Sequence, residues 1–157
     1  MLLMPKWGYS VIGLDPDKTA IASGRELKIS PKAAREICRA VKGMKLEEAR
    51  SLLLNVIEKR TAIPYKRHKK DVPHRKGLQG WYAGRYPQKA AREILRILES
   101  AESNAEYKGL SIEDLKIIHA AAQRARKIRK YISRAFGRSS PYFNELTHVE
   151  LVVEEVS

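Results

Sequence analysis

The chain's 157 residues, 43% of them hydrophobic, match the size of one ordinary domain and can bury a core without disulfide or metal staples. Its 31 Lys and Arg against 18 Asp and Glu leave a formal charge of +13 and a pI near 10.0. The hydrophobic content excludes wholesale disorder, and the charge points to a polyanionic partner: nucleic acid first, then an acidic membrane surface, then an acidic protein.

The opening MLLMPKWGYS is too short and too polar for a signal peptide, and no apolar run is long enough to cross a bilayer, so a cytoplasmic protein is expected. Residues 1–19 read as an irregular arm with a turn at Asp15–Thr19, DPDKT. Residues 20–29 form a weak strand pattern, with Ile21, Leu27 and Ile29 on one face and Gly24 and Arg25 interrupting it. Ser30 and Pro31 then start a helix, a serine cap followed by proline at the first turn, with Ala34, Ile37 and Val41 as its stripe and Gly43 as its end. Cys38, the only cysteine, rules out an intrachain disulfide and suits a reducing compartment.

A second helix spans roughly 45–60, with Leu46, Ala49, Leu52, Leu53, Val56 and Ile57 at helical spacing. A third opens at Pro87 and runs to Tyr107, with Ala91, Ile94, Leu95, Leu98, Ala101 and Ala105 facing inward and Gly109 closing it. Between them, residues 61–86 form a long aperiodic loop, and such loops are functional or disordered. This one carries Lys66, Arg67, Lys69, Lys70, Arg75, Lys76 and Arg85 against Asp71 alone, interleaved with Tyr65, Trp81, Tyr82 and Tyr86.

Beyond the third helix, Leu115–Ala122 is a possible strand, and in THVELVVEEV, Thr147–Val156, Thr147, Val149, Leu151 and Val153 alternate with His148, Glu150 and Glu154 as a half-buried one. QRARKIRKYISRAFGR, residues 123–138, lies between, with Arg124, Arg126, Lys127, Arg129, Lys130, Arg134 and Arg138 and no carboxylate. Ala125, Ile128, Ile132 and Ala135 recur there at helical spacing, which leaves open a basic amphipathic helix over 123–136. Such a helix would serve a peripheral membrane or peptide-groove protein.

Catalytic patterns are weak. His68 and His74 sit among cations that repel a metal ion, and Gly77, Gly80 and Gly84 lack phosphate-loop spacing. Glu99, Glu102 and Glu106 read as a solvated helix face, and His119 and His148 as packed strand residues. No enzyme, cofactor or metal site is expected. Cations neutralise phosphates while aromatics stack on unpaired bases, so two segments combining both favour structured RNA.

The order of these segments resembles one known family. SPKAAREICRAVKGMKLEEARSLL (Ser30–Leu54) is similar to the opening helices of the universal large-subunit ribosomal protein twenty-two family, and QKAAREILRILESAESNAEYKGL (Gln88–Leu110) to its central helix. DLKI, SRAFGR and THVELVV resemble the arms and basic tip of its long β-hairpin, and GWYAGRYP (Gly80–Pro87) its longer archaeal and eukaryotic form. Phe136 departs from the pattern, standing where bacterial members usually carry lysine. The resemblance implies an α+β fold of three helices on a small antiparallel sheet with a long protruding hairpin. It implies a single domain over 1–157, an insertion at 61–86 and a hairpin over 115–153 with its tip at 123–138. It further implies binding to large-subunit ribosomal RNA beside neighbouring subunit proteins, with the tip lining the nascent-peptide exit tunnel in transient contact with nascent peptide. Neither a membrane partner nor a homo-oligomer is expected.

On this reading the seven cations of the tip pair with phosphates, and Tyr131 and Phe136 stack or line the tunnel beside Gly137. The seven cations of the loop, with Trp81 and Tyr82, supply the second RNA contact.

Overall fold

The computed structural model describes residues 8–156; the opening residues of the expected arm lie outside them. Its elements run β1 (Thr19–Leu27), α1 (Pro31–Val41), α2 (Leu46–Ile57), β2 (Ile63–Pro64), β3 (Gly84–Arg85), α3 (Gln88–Tyr107), β4 (Leu115–Ile128), β5 (Tyr131–Ser133), β6 (Ser139–Pro141) and β7 (Asn144–Glu155). β7 is the centre of an antiparallel sheet ordered β1-β7-β4. The apolar stripes of the helices and Val149, Leu151 and Val153 of β7 join in one core with Ala20, Ala22, Leu115 and Ile117. The α+β architecture implied by the resemblance is the one observed.

The helices follow their stripes. Ala34, Ile37 and Val41 of α1, Leu46, Ala49, Leu53 and Val56 of α2, and Ala91, Ile94, Leu98, Ala101 and Ala105 of α3 are all buried, while Leu52, Ile57 and Leu95 pack at the core's edge. α2 is shorter than its pattern, because Glu58 already closes it and Lys59 turns left-handed. Ser30 is the N-cap residue of α1 in position only; its side chain makes no capping hydrogen bond. Cys38 is buried, and burial pushes its thiol up to about 12. At pH 8 the native protein should therefore resist alkylation, with Cys38 modified at the rate of global opening; fast labelling under native conditions would contradict this packing.

The strands bring corrections. In β1 it is Ala20 and Ala22 that enter the core, while Ile21 is 40% exposed. A register irregularity between Gly24 and Leu27, with Glu26 at φ 52, resets the alternation so that Leu27 packs on the core and Ile29 beyond the strand is buried. A bulge shifts side-chain phase by one residue, which strict alternation does not foresee. β7 is not half-buried: His148 and Glu150 are as enclosed as their apolar neighbours. Ser10 of the arm donates both its N–H (3.0 Å) and its hydroxyl (2.8 Å) to Glu150, whose other oxygen faces Arg25 at 3.6 Å. His148 Nδ1 accepts the Glu26 N–H at 3.0 Å. The arm thus lies against the sheet through a polar network rather than leaving that face to solvent.

Residues 123–136 are not helical. β4 continues through Arg124, Lys127 and Ile128, paired with Thr147, Glu145 and Asn144 of β7, and the chain proceeds into the β5–β6 ladder. A helix would stack Arg126, Lys130, Arg134 and Arg138 at i, i+4 intervals on one line, where like charges destabilise it. An extended chain separates them, and β7 supplies the hydrogen bonds.

Candidate nucleic-acid interface

The hairpin begins as part of the sheet and leaves it. At 14 residues, β4 reaches about 46 Å along its axis. Burial declines along it, and from residue 129 to 144 every residue is exposed except the half-buried Ser140. Lys130 accepts the Tyr142 N–H through its carbonyl at 2.7 Å, and Arg138 likewise accepts that of Arg134 at 2.7 Å, closing the tip. Phe136 and Gly137 turn the chain with φ of 58 and 65, and Phe136 is left 95% exposed. A non-glycine residue in that region costs on the order of 1 kcal/mol, and here an apolar ring is held into solvent for it.

All seven tip cations are exposed, and they divide into two groups. Arg126 pairs with Glu26 at 2.8 Å and Lys127 with Glu145 at 3.1 Å, near the hairpin base. The hydrogen bond from Lys127 holds the Glu145 carboxyl below its usual range, with Arg124 and Lys32 adding to the effect. Arg124, Arg129, Lys130, Arg134 and Arg138 have no carboxylate within ion-pair distance among the described residues. Tyr131 is 61% exposed, its ring set edge-on to Phe143 with centroids 5.7 Å apart.

The 61–86 segment is ordered, with a small scaffold of its own. Ile63 and Pro64 of β2 pair with Arg85 and Gly84 of β3, and an isolated bridge joins His74 to Ala83. Trp81 donates its indole N–H to the Tyr65 carbonyl at 2.9 Å and stacks on Tyr82 at 5.1 Å, while Tyr65 is buried. Part of the aromatic content therefore builds the loop itself, leaving Tyr82, 46% exposed, as its outward ring. Lys69 lies over Trp81 at 5.8 Å and Arg75 over Tyr86 at 5.3 Å, and Arg85 donates to the Asp71 carbonyl at 3.0 Å. All seven loop cations are exposed.

What docks this loop escaped the sequence reading. Glu36 of α1 is 1% exposed, yet its carboxylate has no ion-pair partner among the described residues. Instead it accepts three backbone N–H groups: Lys66 at 3.1 Å on one oxygen, Arg67 and His68 at 3.0 Å each on the other. One buried side chain thereby fixes the loop at its most basic point. A signal existed, since Ala33, Glu36 and Ala40 share i, i+3, i+7 spacing on a second, small-residue flank of α1. The His68 imidazole is pushed below its ordinary pKa by partial burial; Glu36 opposes this, and Arg35, Lys32 and Arg67 reinforce it.

Other residues weighed for chemistry have structural placements. His119 Nε2 lies 3.0 Å from the Ser10 hydroxyl, and Glu102 pairs with Arg50 at 3.2 Å. Among the described residues no group of three or more His, Cys, Asp or Glu side chains is placed to hold a metal ion.

The family described as Ribosomal protein L22p/L17e matches residues 22–154. The chain is 56% identical to "Large ribosomal subunit protein uL22" of Archaeoglobus fulgidus over 96% of its own length and 97% of the relative's. It is 55% identical to the protein of the same description in Methanopyrus kandleri, covering 97% and 99%, and 52% identical to that of Methanococcus vannielii, again covering 97% and 99%. A match across nearly the whole of both chains, insertion and hairpin included, means that this protein belongs to the ribosomal protein L22p/L17e family.

Proposed function

We propose that this protein is a structural, non-catalytic constituent of the large ribosomal subunit that binds large-subunit ribosomal RNA through its hairpin and its 61–86 loop. The hairpin tip lines the nascent-peptide exit tunnel, with Phe136 presented at its end. One observation carries the reading. From Leu115 to Asn144 the chain holds eight cations and no carboxylate, and its outer half has no protein core to face. Unbalanced cations on an extended arm repel one another unless a polyanion surrounds them, and RNA phosphate supplies that charge at close spacing. The uL22 relatives are by description large-subunit proteins, which supports the same assignment.

The remaining tip and loop residues take their places in this reading. Arg124, Arg129, Lys130, Arg134 and Arg138 contact phosphates directly, while Arg126 and Lys127 are shared with Glu26 and Glu145. Lys66, Arg67, Lys69, Lys70, Arg75, Lys76 and Arg85 form the second contact, with Tyr82 beside them. The test is a titration of the intact protein on large-subunit ribosomal RNA over a range of salt. The logarithm of affinity should fall linearly with that of salt, with a slope of roughly −4.5 or steeper if the five tip cations without a carboxylate partner among the described residues each neutralise a phosphate. A slope near zero would overturn the proposal.

A further inference from the structure

A cleft of about 560 Å³ opens where the 61–86 loop folds back on the N-terminal ends of α1 and α3. Lys32, Arg67, Lys70 and Arg85 line it, together with the buried Tyr65 and the half-buried Tyr86, and no carboxylate does. Neither helix carries an acid in its first turn, and Ser30 leaves the α1 end uncapped, so backbone N–H groups there add to the positive potential. One turn into α1, outside the lining of the cleft, Arg35 keeps a buried Nη1 without a hydrogen-bond partner among the described residues. Of the acids close by, Glu36 has its carboxylate committed to three loop N–H groups, and Asp71, between Lys70 and Val72, is exposed and does not line the cleft. Two adjoining clefts, about 440 and 350 Å³, continue past Lys28 and Lys89 to Phe143 at the hairpin base, where Glu145, already paired with Lys127, also lines the second.

Phosphates of a paired helix need only a cationic surface. A concave site that adds tyrosine rings to the cations suits a base that has left its stack, because rings give stacking area that a phosphate cannot use. The main cleft falls within the roughly 300–1,000 Å³ that enclose a small organic group. The Tyr86 ring is steadied beforehand by the Arg75 guanidinium 5.3 Å from its centre. We propose that this cleft receives one unpaired nucleotide of the bound RNA, its base against Tyr86 and its flanking phosphates on Lys32, Arg67 and Lys70. The strand then continues along the two smaller clefts, joining the loop contact to the hairpin contact in one path. The proposal rests on the RNA-binding reading above and adds to it a single-nucleotide subsite.

The experiment compares an RNA hairpin carrying one extruded uridine with the same hairpin lacking it, each titrated against the intact protein. The bulged RNA should bind about tenfold tighter, the value of one base stacked on an aromatic ring. Tyr86→Phe should keep that preference and Tyr86→Leu should abolish it, while both still bind the plain hairpin. Equal binding of the two RNAs by the unmodified protein would overturn the subsite and leave RNA binding intact; failure to bind either would overturn the RNA-binding reading. Should Tyr86→Leu fold poorly, photo-crosslinking of 4-thiouridine at the bulge to the unmodified protein decides. An adduct within residues 65–72 or at Tyr86 supports the subsite, and adducts confined to the hairpin aromatics or Tyr82 refute it. An oligoglutamate peptide that displaces the bulged RNA at equal charge would refute it in favour of an acidic protein tail.

Discussion

Replacing Arg124, Arg129, Lys130, Arg134 and Arg138 together by glutamine should cut affinity for large-subunit ribosomal RNA on the order of a thousandfold at low salt. It should also flatten the salt dependence by about four to five units of slope, close to one for each lost phosphate contact. Folding stability should hold or rise slightly, because these side chains are exposed, have no carboxylate partner among the described residues and repel one another. Exchanging Arg126 and Lys127 instead should cost less affinity, since each is already partly neutralised at 2.8 and 3.1 Å by Glu26 and Glu145. Filter binding across salt, with thermal melts of the same samples, checks both parts. Loss of affinity with an unchanged salt slope would show that the arm acts through something other than phosphate.

The second large effect belongs to Glu36. Glu36→Ala strips the acceptor from three N–H groups at once and should destabilise the protein by about 2–4 kcal/mol, which is less than three full hydrogen bonds because exposed neighbours let water in. For a chain of this size that is a melting temperature lower by roughly 5–15 °C. Glu36→Gln should be milder: its oxygen can still take two donors, while its amide nitrogen faces the third N–H as donor against donor. In both variants limited trypsin digestion should open the 61–86 loop first, at Lys66, Arg67, Lys69 and Lys70, with the sheet left intact. Unchanged cleavage would mean that the loop is held elsewhere, for instance by the Trp81 bond to Tyr65.

These two predictions fall on opposite sides of what the residues alone reveal. The cationic arm is plain in the sequence, because seven basic residues without an acid need no fold to be noticed. The acid that organises the other contact is not, since a glutamate on a helix flank ordinarily points to water. Glu36 is recognisable only after the chain from Ile63 to His68 returns to α1 with its N–H groups turned inward. Trp81, expected from its setting to face the RNA, is likewise bonded into the loop's own scaffold, to the carbonyl of the buried Tyr65.

Where local pattern and assembly agree, the residues alone were sufficient: helix stripes at 3.6-residue spacing, proline at the entries to α1 and α3, glycine beyond their ends, and the excess charge. Each of these acts within a turn or two of chain, or adds up regardless of fold. Tertiary structure decided the rest. It put Ile21 and Leu27 on opposite faces through a bulge between them, enclosed Glu150 beneath Ser10, and made residues 123–128 a strand by offering them the edge of β7. The common reason is that a backbone hydrogen bond or a buried charge is settled by a partner distant in sequence, and Ser10 lies 140 residues from the glutamate it covers. No window along the chain contains both.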